Sequence, residues 1–246
     1  MMQSLELVRP SKAMDCIATV VASDWLTPTI KSIRLDLHNP DFAFLPGQSV
    51  WPKFERDGKR FSKIYSIASS PSQCPIVELC VSRVGWSSAY LQDLPIGASL
   101  PLRGPYGLMT IDRLPTLPRL YIVEGSGIAP IKSQIEWLYE QQYEHPVWLV
   151  QANPETPDEL PYEDLWRSLT LQWPQFRYFE TIRPESILQT IASFRNGIVS
   201  FRNGIDLDDF EIDICAVDDR SSQIRDAVLA HGANAAAVRS ESFHAF

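Results

Sequence analysis

Lys63, Tyr65 and Ser66 put a cation, a phenol and a hydroxyl within four residues. On an extended strand alternate side chains share a face, so Lys63 and Tyr65 project to one side and Ser66 starts the next face or a bend. A cleft lined in this way can receive a phosphate on the cation, a flat ring against the phenol and a polar edge at the hydroxyl. A plain edge strand is the alternative reading of the same residues.

Three further groupings carry chemistry. Gly85-Trp86-Ser87-Ser88 stands at the start of a helix expected from Ser87 to Leu94, where free N–H groups, the helix dipole and two hydroxyls favour an anion. The bland alternative is that Ser87 caps the helix. Gly125-Ser126-Gly127-Ile128-Ala129-Pro130 follows an apolar strand and precedes a helix, and small residues there let a dinucleotide's phosphates reach the backbone. Cys215 ends another apolar strand, where packing and chemistry are both open to a thiol.

The elements that must hold these groups change rhythm part-way along the chain. Alternation of Ile33, Leu35 and Leu37, and of Val77, Leu79 and Val81, with Pro, Gly, Asn and Asp between segments, predicts short antiparallel strands in a small barrel. From about Pro118 the pattern becomes strand, helix, strand: RLYIVEG, IKSQIEWLYEQQ, PVWLVQA, YEDLWRSLTL, FRYFETI, EIDICAV, then a helix stopping near Gly232. Such βα units imply a parallel sheet covered by helices. The expected domains are therefore 1–113 and 114–246, joined at the proline-bearing stretch from Leu114 to Pro118. Ser193-Phe194-Arg195-Asn196-Gly197-Ile198 recurs as Ser200-Phe201-Arg202-Asn203-Gly204-Ile205, which reads as a duplicated loop with two turns and no chemistry.

Composition narrows the function classes. A 246-residue chain with 45% hydrophobic and 11% aromatic residues is long enough for two cores. No run approaches the ~18 apolar residues of a membrane span, and the first residues lack a secretory apolar centre, so a cytoplasmic protein is expected. The net charge of −8 argues against a general nucleic-acid binder and leaves a basic protein partner open. Cys16, Cys74, Cys80 and Cys215 are too scattered for a disulfide framework, a zinc site or a plant-type iron–sulfur cluster. His38, His145, His231 and His244 form no metal pattern, so no metal is expected.

In order along the chain, Pro46-Gly47-Gln48, Lys63-Ile64-Tyr65-Ser66, Gly85-Trp86-Ser87-Ser88-Ala89-Tyr90-Leu91, Gly104-Pro105-Tyr106-Gly107, Glu124-Gly125-Ser126-Gly127-Ile128-Ala129-Pro130 and Cys215 resemble the motifs of the ferredoxin-NADP reductase superfamily. The resemblance implies an N-terminal antiparallel Greek-key flavin-binding barrel and a C-terminal parallel-sheet nucleotide-binding domain. It implies an oxidoreductase that passes electrons from NADH or NADPH through FAD, with FMN as the alternative, to a separate acceptor. By the same resemblance Lys63, Tyr65, Ser66, Val81, Gly85, Ser87 and Ser88 hold the flavin, Gly125, Ser126, Gly127 and Pro130 hold the dinucleotide, and Tyr65, Ser66 and Cys215 serve the reaction.

Three residues or stretches depart from the family pattern. Lys63 stands for the usual Arg, keeping the charge but losing the planar fork. Glu124 stands for a glycine, where a carboxylate repels pyrophosphate unless it is turned away or paired. Ala216-Val217-Asp218 replaces the Gly-Pro that should follow Cys215. A second reading follows, in which the fold is a flavin-binding regulatory or electron-transfer module reduced by a partner. The acidic stretch Gln151–Glu159 favours NADH over a 2′-phosphorylated nucleotide, and Phe246 is a candidate to stack near the flavin.

Overall fold

The computed structural model describes residues 9–153, 159–181, 187, 189–191 and 206–243. The duplication at 193–205, Phe246 and residues 154–158 of the acidic stretch lie outside them. Contacts divide the chain into two units, one built from residues up to Leu114 together with Ala129–Tyr143, the other from Pro115–Ile128 and from Glu144 onward.

The first unit carries β1 (Met14–Trp25), β2 (Ile30–Asp36), β3 (Ser49–Arg56), β4 (Lys59–Ser62), β5 (Tyr65–Ser66), β6 (Ile76–Ser82), α1 (Trp86–Asp93) and β7 (Ser99–Tyr106). The strands pair in the order β4-β3-β7-β1-β2-β6, with β5 on β3, and every pairing is antiparallel. An isolated antiparallel bridge between Ile67 and Leu79 links the chain beyond β5 to β6. The expected antiparallel barrel sheet is present but is not closed by a ladder, since β6 pairs with the chain beyond β5 only at that bridge. Its core takes Ile33, Leu35 and Leu37, and Val77, Leu79 and Val81, as their alternation predicts, with Ala18, Val20, Phe54, Leu100 and Leu102.

Two local differences from the sequence reading matter for the site. Lys63 and Tyr65 do not share one strand: β4 stops at Ser62 and β5 starts at Tyr65. The register pairs Lys53 with Ser62 and Val50 with Tyr65, which sets Trp51 and Pro52 opposite the gap. Proline has no N–H for the ladder, so pairing lapses there. In β6 the polar positions do not face water, since Glu78 and Cys80 are as buried as the apolar residues between them. Gly47 turns the chain into β3 at φ +95, and a Cβ there would lie 2.2 Å from the Met109 carbonyl oxygen, so only glycine fits.

The second unit holds β8 (Arg119–Glu124), the first residue of α2 (Ile128–Glu140), β9 (Val147–Ala152), α3 (Glu163–Gln172), β10 (Phe176–Thr181), β11 (Glu211–Val217), α4 (Arg220–Ala230) and β12 (Val238–Phe243). The remaining twelve residues of α2 belong to the first unit. The five strands are parallel in the order β10-β9-β8-β11-β12. Every residue of β8 and β9 is buried, as for strands covered on both faces. Near the start of the strands, the buried Arg119 guanidinium pairs with Glu211 and with the fully buried Asp213. Asp213 also takes Arg239 at 2.6 and 2.7 Å, which binds β8, β11 and β12 together. Burial opposes the charge on Arg119, yet Tyr121, Asp213 and Glu211 outweigh it and raise the guanidinium's affinity for its proton. No helix among the described residues is long and apolar enough to cross a membrane.

Candidate functional site

In the first unit, two stretches far apart in sequence meet. Tyr65 on β5 is half-buried, and its phenol donates to the Ser87 hydroxyl on α1 at 3.4 Å. Burial raises the phenol's pKa more than the Ser87 contact lowers it, so Tyr65 stays protonated and remains a donor. Ser66 is buried, its hydroxyl 3.4 Å from that of Ser49 on β3. Val81 is buried in β6, its carbonyl accepting from the Gln92 amide at 2.7 Å. Lys63 is exposed between the strands, as are Lys59 and Arg60 on β4.

Ser87 and Ser88 divide their labour in a way the sequence does not reveal. The Ser88 hydroxyl accepts from the backbone N–H of Val84 and Gly85, both at 3.0 Å, and donates to the Gly85 carbonyl at 2.9 Å. It is therefore Ser88, not Ser87, that holds the approach to α1, in the manner of a capping box. Ser87 is left to Tyr65, and the first-turn N–H groups of α1 have no intrahelical acceptor. A half-buried phenol, the Ser87 hydroxyl, a helix start and the Arg56 guanidinium, 5.3 Å from the centre of the Trp86 ring, suit a planar ring with an anionic tail.

In the second unit, the strand order reverses between β8 and β11, the place where open parallel sheets bind nucleotides beyond their carboxyl ends. Glu124 and Gly125 sit at the end of β8, and Cys215 to Val217 at the end of β11. Gly125 and Gly127 are buried, and Ser126 is partly exposed. A Cβ on Gly127 would lie 2.7 Å from the Cys215 carbonyl oxygen, so the turn and β11 touch backbone to backbone. Pro130, in the part of α2 that belongs to the first unit, is buried as the helix's third residue, a position that needs no donated N–H.

Glu124 is fully buried, and its Oε1 accepts from Arg220 at 2.9 Å (Nη2) and 3.1 Å (Nε). The carboxylate that departs from the family pattern is thus neutralised by the first residue of α4. This pairing was invisible in the sequence because 96 positions separate the partners.

Cys215 is fully buried, and burial together with the Glu241 and Asp213 carboxylates pushes its thiol well above the ordinary range. We expect Cys215 to resist iodoacetamide in the native protein at pH 8 and to react once urea unfolds the chain, as read by peptide mass spectrometry. Native labelling at the speed of an exposed thiol would contradict its place beneath the turn.

A buried ionic group in the first unit also escaped the sequence reading. Lys132 of α2 is paired with Glu78 of β6 at 2.9 Å and with Glu136 at 2.6 Å. The missed signal was the spacing of Lys132, Glu136 and Glu140, one helix face four residues apart. Among the described residues no cluster of His, Cys, Asp and Glu could hold a metal ion.

Residues 18–111 match the family model described as the oxidoreductase FAD-binding domain. The chain is 34% identical over 172 residues to the phenol hydroxylase P5 protein of Acinetobacter pittii, covering 68% of this chain and 47% of that one. It is 29% identical over 168 residues to ferredoxin–NADP reductase B of Sorangium cellulosum, covering 67% and 68%. Among solved structures, a cytochrome P450 reductase of Amycolatopsis matches with a TM-score of 0.75 at 19% identity, over 94% of this chain and 70% of that one. The chain thus spans about half the length of the phenol hydroxylase relative.

Proposed function

Because the chain belongs to the ferredoxin reductase-like flavoproteins, with their FAD-binding domain at residues 18–111, we propose that it is a flavin-dependent oxidoreductase. It takes electrons from a nicotinamide nucleotide, NADH in preference to NADPH, and passes them through FAD to a separate acceptor; one relative is named for ferredoxin and NADP. The observation that carries this reading is the 3.4 Å contact between Tyr65 and Ser87, which brings the two flavin motifs to one place.

When bound, FAD supplies the change from two-electron to one-electron transfer that an acceptor requires. The chain supplies orientation. In this reading residues 1–113 form the flavin domain, where Tyr65 packs against the ring, Ser66 donates to its reactive edge, and Lys63 with the start of α1 holds phosphate. Residues 114–246 form the nucleotide domain, in which the turn Gly125 to Gly127, followed by Pro130, carries the dinucleotide's phosphates and Cys215 underlies the nicotinamide. The alternative, a regulatory or electron-transfer module with a degenerate nicotinamide site, draws on Glu124 and on Ala216-Val217-Asp218. Neutralisation of Glu124 by Arg220 removes the first of those supports. The four free cysteines are in keeping with a cytoplasmic setting.

Anaerobic mixing of the FAD-supplemented protein with NADH, and separately with NADPH, tests the reading. NADH is expected to bleach the flavin absorbance, and faster than NADPH. Tyr65→Ala is expected to weaken FAD binding about tenfold, the equivalent of the ~1.4 kcal/mol of an aromatic contact. A bound flavin that stays oxidised with both nucleotides would favour the module reading instead.

A further inference from the structure

The backbone that follows Tyr65 and Ser66 is buried without interruption from Ile67 to Ser70, and its polar groups are met by side chains from α2. The Lys132 ammonium donates to Glu78 at 2.9 Å, pairs with Glu136 at 2.6 Å, and reaches the Ala68 carbonyl at 3.3 Å. An ammonium has three donors, and each has an acceptor here. The Ser70 N–H donates to Glu136 at 3.1 Å, and the hydroxyls of Ser70 and Ser72 donate to Glu140 at 2.7 and 2.8 Å. On the opposite side, the Ser69 hydroxyl accepts from the Glu78 N–H at 3.1 Å, and Ser32 donates to the Glu78 carboxylate.

Such a cluster is a costly way to hold a helix. Taking an ammonium and two carboxylates out of water costs several kcal/mol per ion, and apolar side chains of the same volume would hold the helix as well or better. What ions offer is direction: bonds of fixed length to named backbone atoms, where apolar packing tolerates sliding. The atoms so fixed, the Ala68 carbonyl and the Ser70 N–H, lie two and four residues beyond Ser66.

We propose that Lys132 is a positioning residue for the flavin site, fixing the Tyr65–Ser66 segment through Ala68 and, by way of Glu136, Ser70. This rests on the flavin reading given above.

The test uses FAD-loaded Lys132→Met, Lys132→Arg and Glu136→Ala, which removes the acceptor of the Ser70 N–H while Lys132 keeps Glu78. Three readouts apply: the visible circular dichroism of the bound flavin, its midpoint potential under dithionite titration, and the separate kcat and KM for NADH. Lys132→Met is expected to keep FAD bound, alter the dichroism and the potential, and lower kcat about tenfold with little change in KM. Lys132→Arg should recover most of this, and Glu136→Ala should move all three readouts in the same direction by less. If Lys132→Met fails to fold, Glu136→Ala decides alone. Dichroism, potential and kcat matching the wild type in every folded variant overturn the proposal. A wild-type protein that binds FAD but ignores NADH defeats only the nicotinamide reading, because dichroism and potential still report on Lys132. A wild type that binds no FAD overturns both.

Discussion

Replacing Gly127 by alanine is expected to lower kcat/KM for NADH about a hundredfold while leaving the bound FAD in place. The new methyl would lie 2.7 Å from the Cys215 carbonyl oxygen, 3.2 Å from its carbon and 3.3 Å from its Cβ. The nearest atoms are backbone, so no rotamer change relieves the overlap. β11 cannot yield easily, since β8 and β12 flank it with parallel ladders on both sides. The turn must therefore recede by about 0.7 Å to reach ordinary contact at 3.4 Å, a displacement at the place where phosphates approach the backbone. Overpacking of this kind costs about 1–3 kcal/mol, which the second unit should survive. Stopped-flow reduction by NADH, with flavin content measured in parallel, checks the expectation, and unchanged NADH kinetics would remove the turn from the nucleotide site.

Arg119→Met is expected to produce the largest loss of stability. It strips the buried Asp213 carboxylate of one of two cations and leaves Arg239 as its partner. Removing one member of a buried ion pair typically costs about 3–5 kcal/mol. The low end applies here, because Arg239 remains and because Glu211 is 38% exposed, so that losing its contact adds little. A loss of about 3 kcal/mol lowers the melting temperature of a chain this size by about 6–12 °C. Differential scanning calorimetry reads it directly, and a change of less than about 2 °C would mean that the introduced thioether packs as well as the ion did. Arg119 lies toward the start of β8, away from the turn at its end, so NADH kinetics at 20 °C should be little changed in the protein that remains folded.

How far the sequence carried these conclusions differs between backbone and side chains. Alternation of Ile33, Leu35 and Leu37 was enough to read β2, and the apolar runs before Gly125 and around Cys215 were enough to read β8 and β11, because burial imposes a period or a run that a single segment displays. Ser88 was harder, since Ser87 and Ser88 are chemically alike and only the backbone geometry decides which one accepts from Val84 and Gly85. Alternation alone puts Lys63 on one strand with Tyr65, and the structure does not, because the ladder lapses opposite Pro52, a residue eleven positions earlier in the chain. The burial of Glu78 is not legible in the sequence because its partners, Ser32 and Lys132, lie 46 and 54 positions away. Charges buried in pairs look like surface charges until the fold unites them.

The front unit borrows its last helix from later in the chain, and this bears on how the molecule is made. On a ribosome, the strands up to Tyr106 emerge while Glu78 still has no cation and Met109 no amide from Gln134. Domains generally fold as units in the order of synthesis, but here the first unit stays incomplete until Tyr143 has cleared the exit tunnel. By then β8 is also outside. β11 and β12, which complete the second unit's sheet, follow only at residues 211–243, so the first unit is completed first, and a fragment cut at Leu114 would be a barrel sheet with a buried glutamate lacking its lysine, not a portable flavin module.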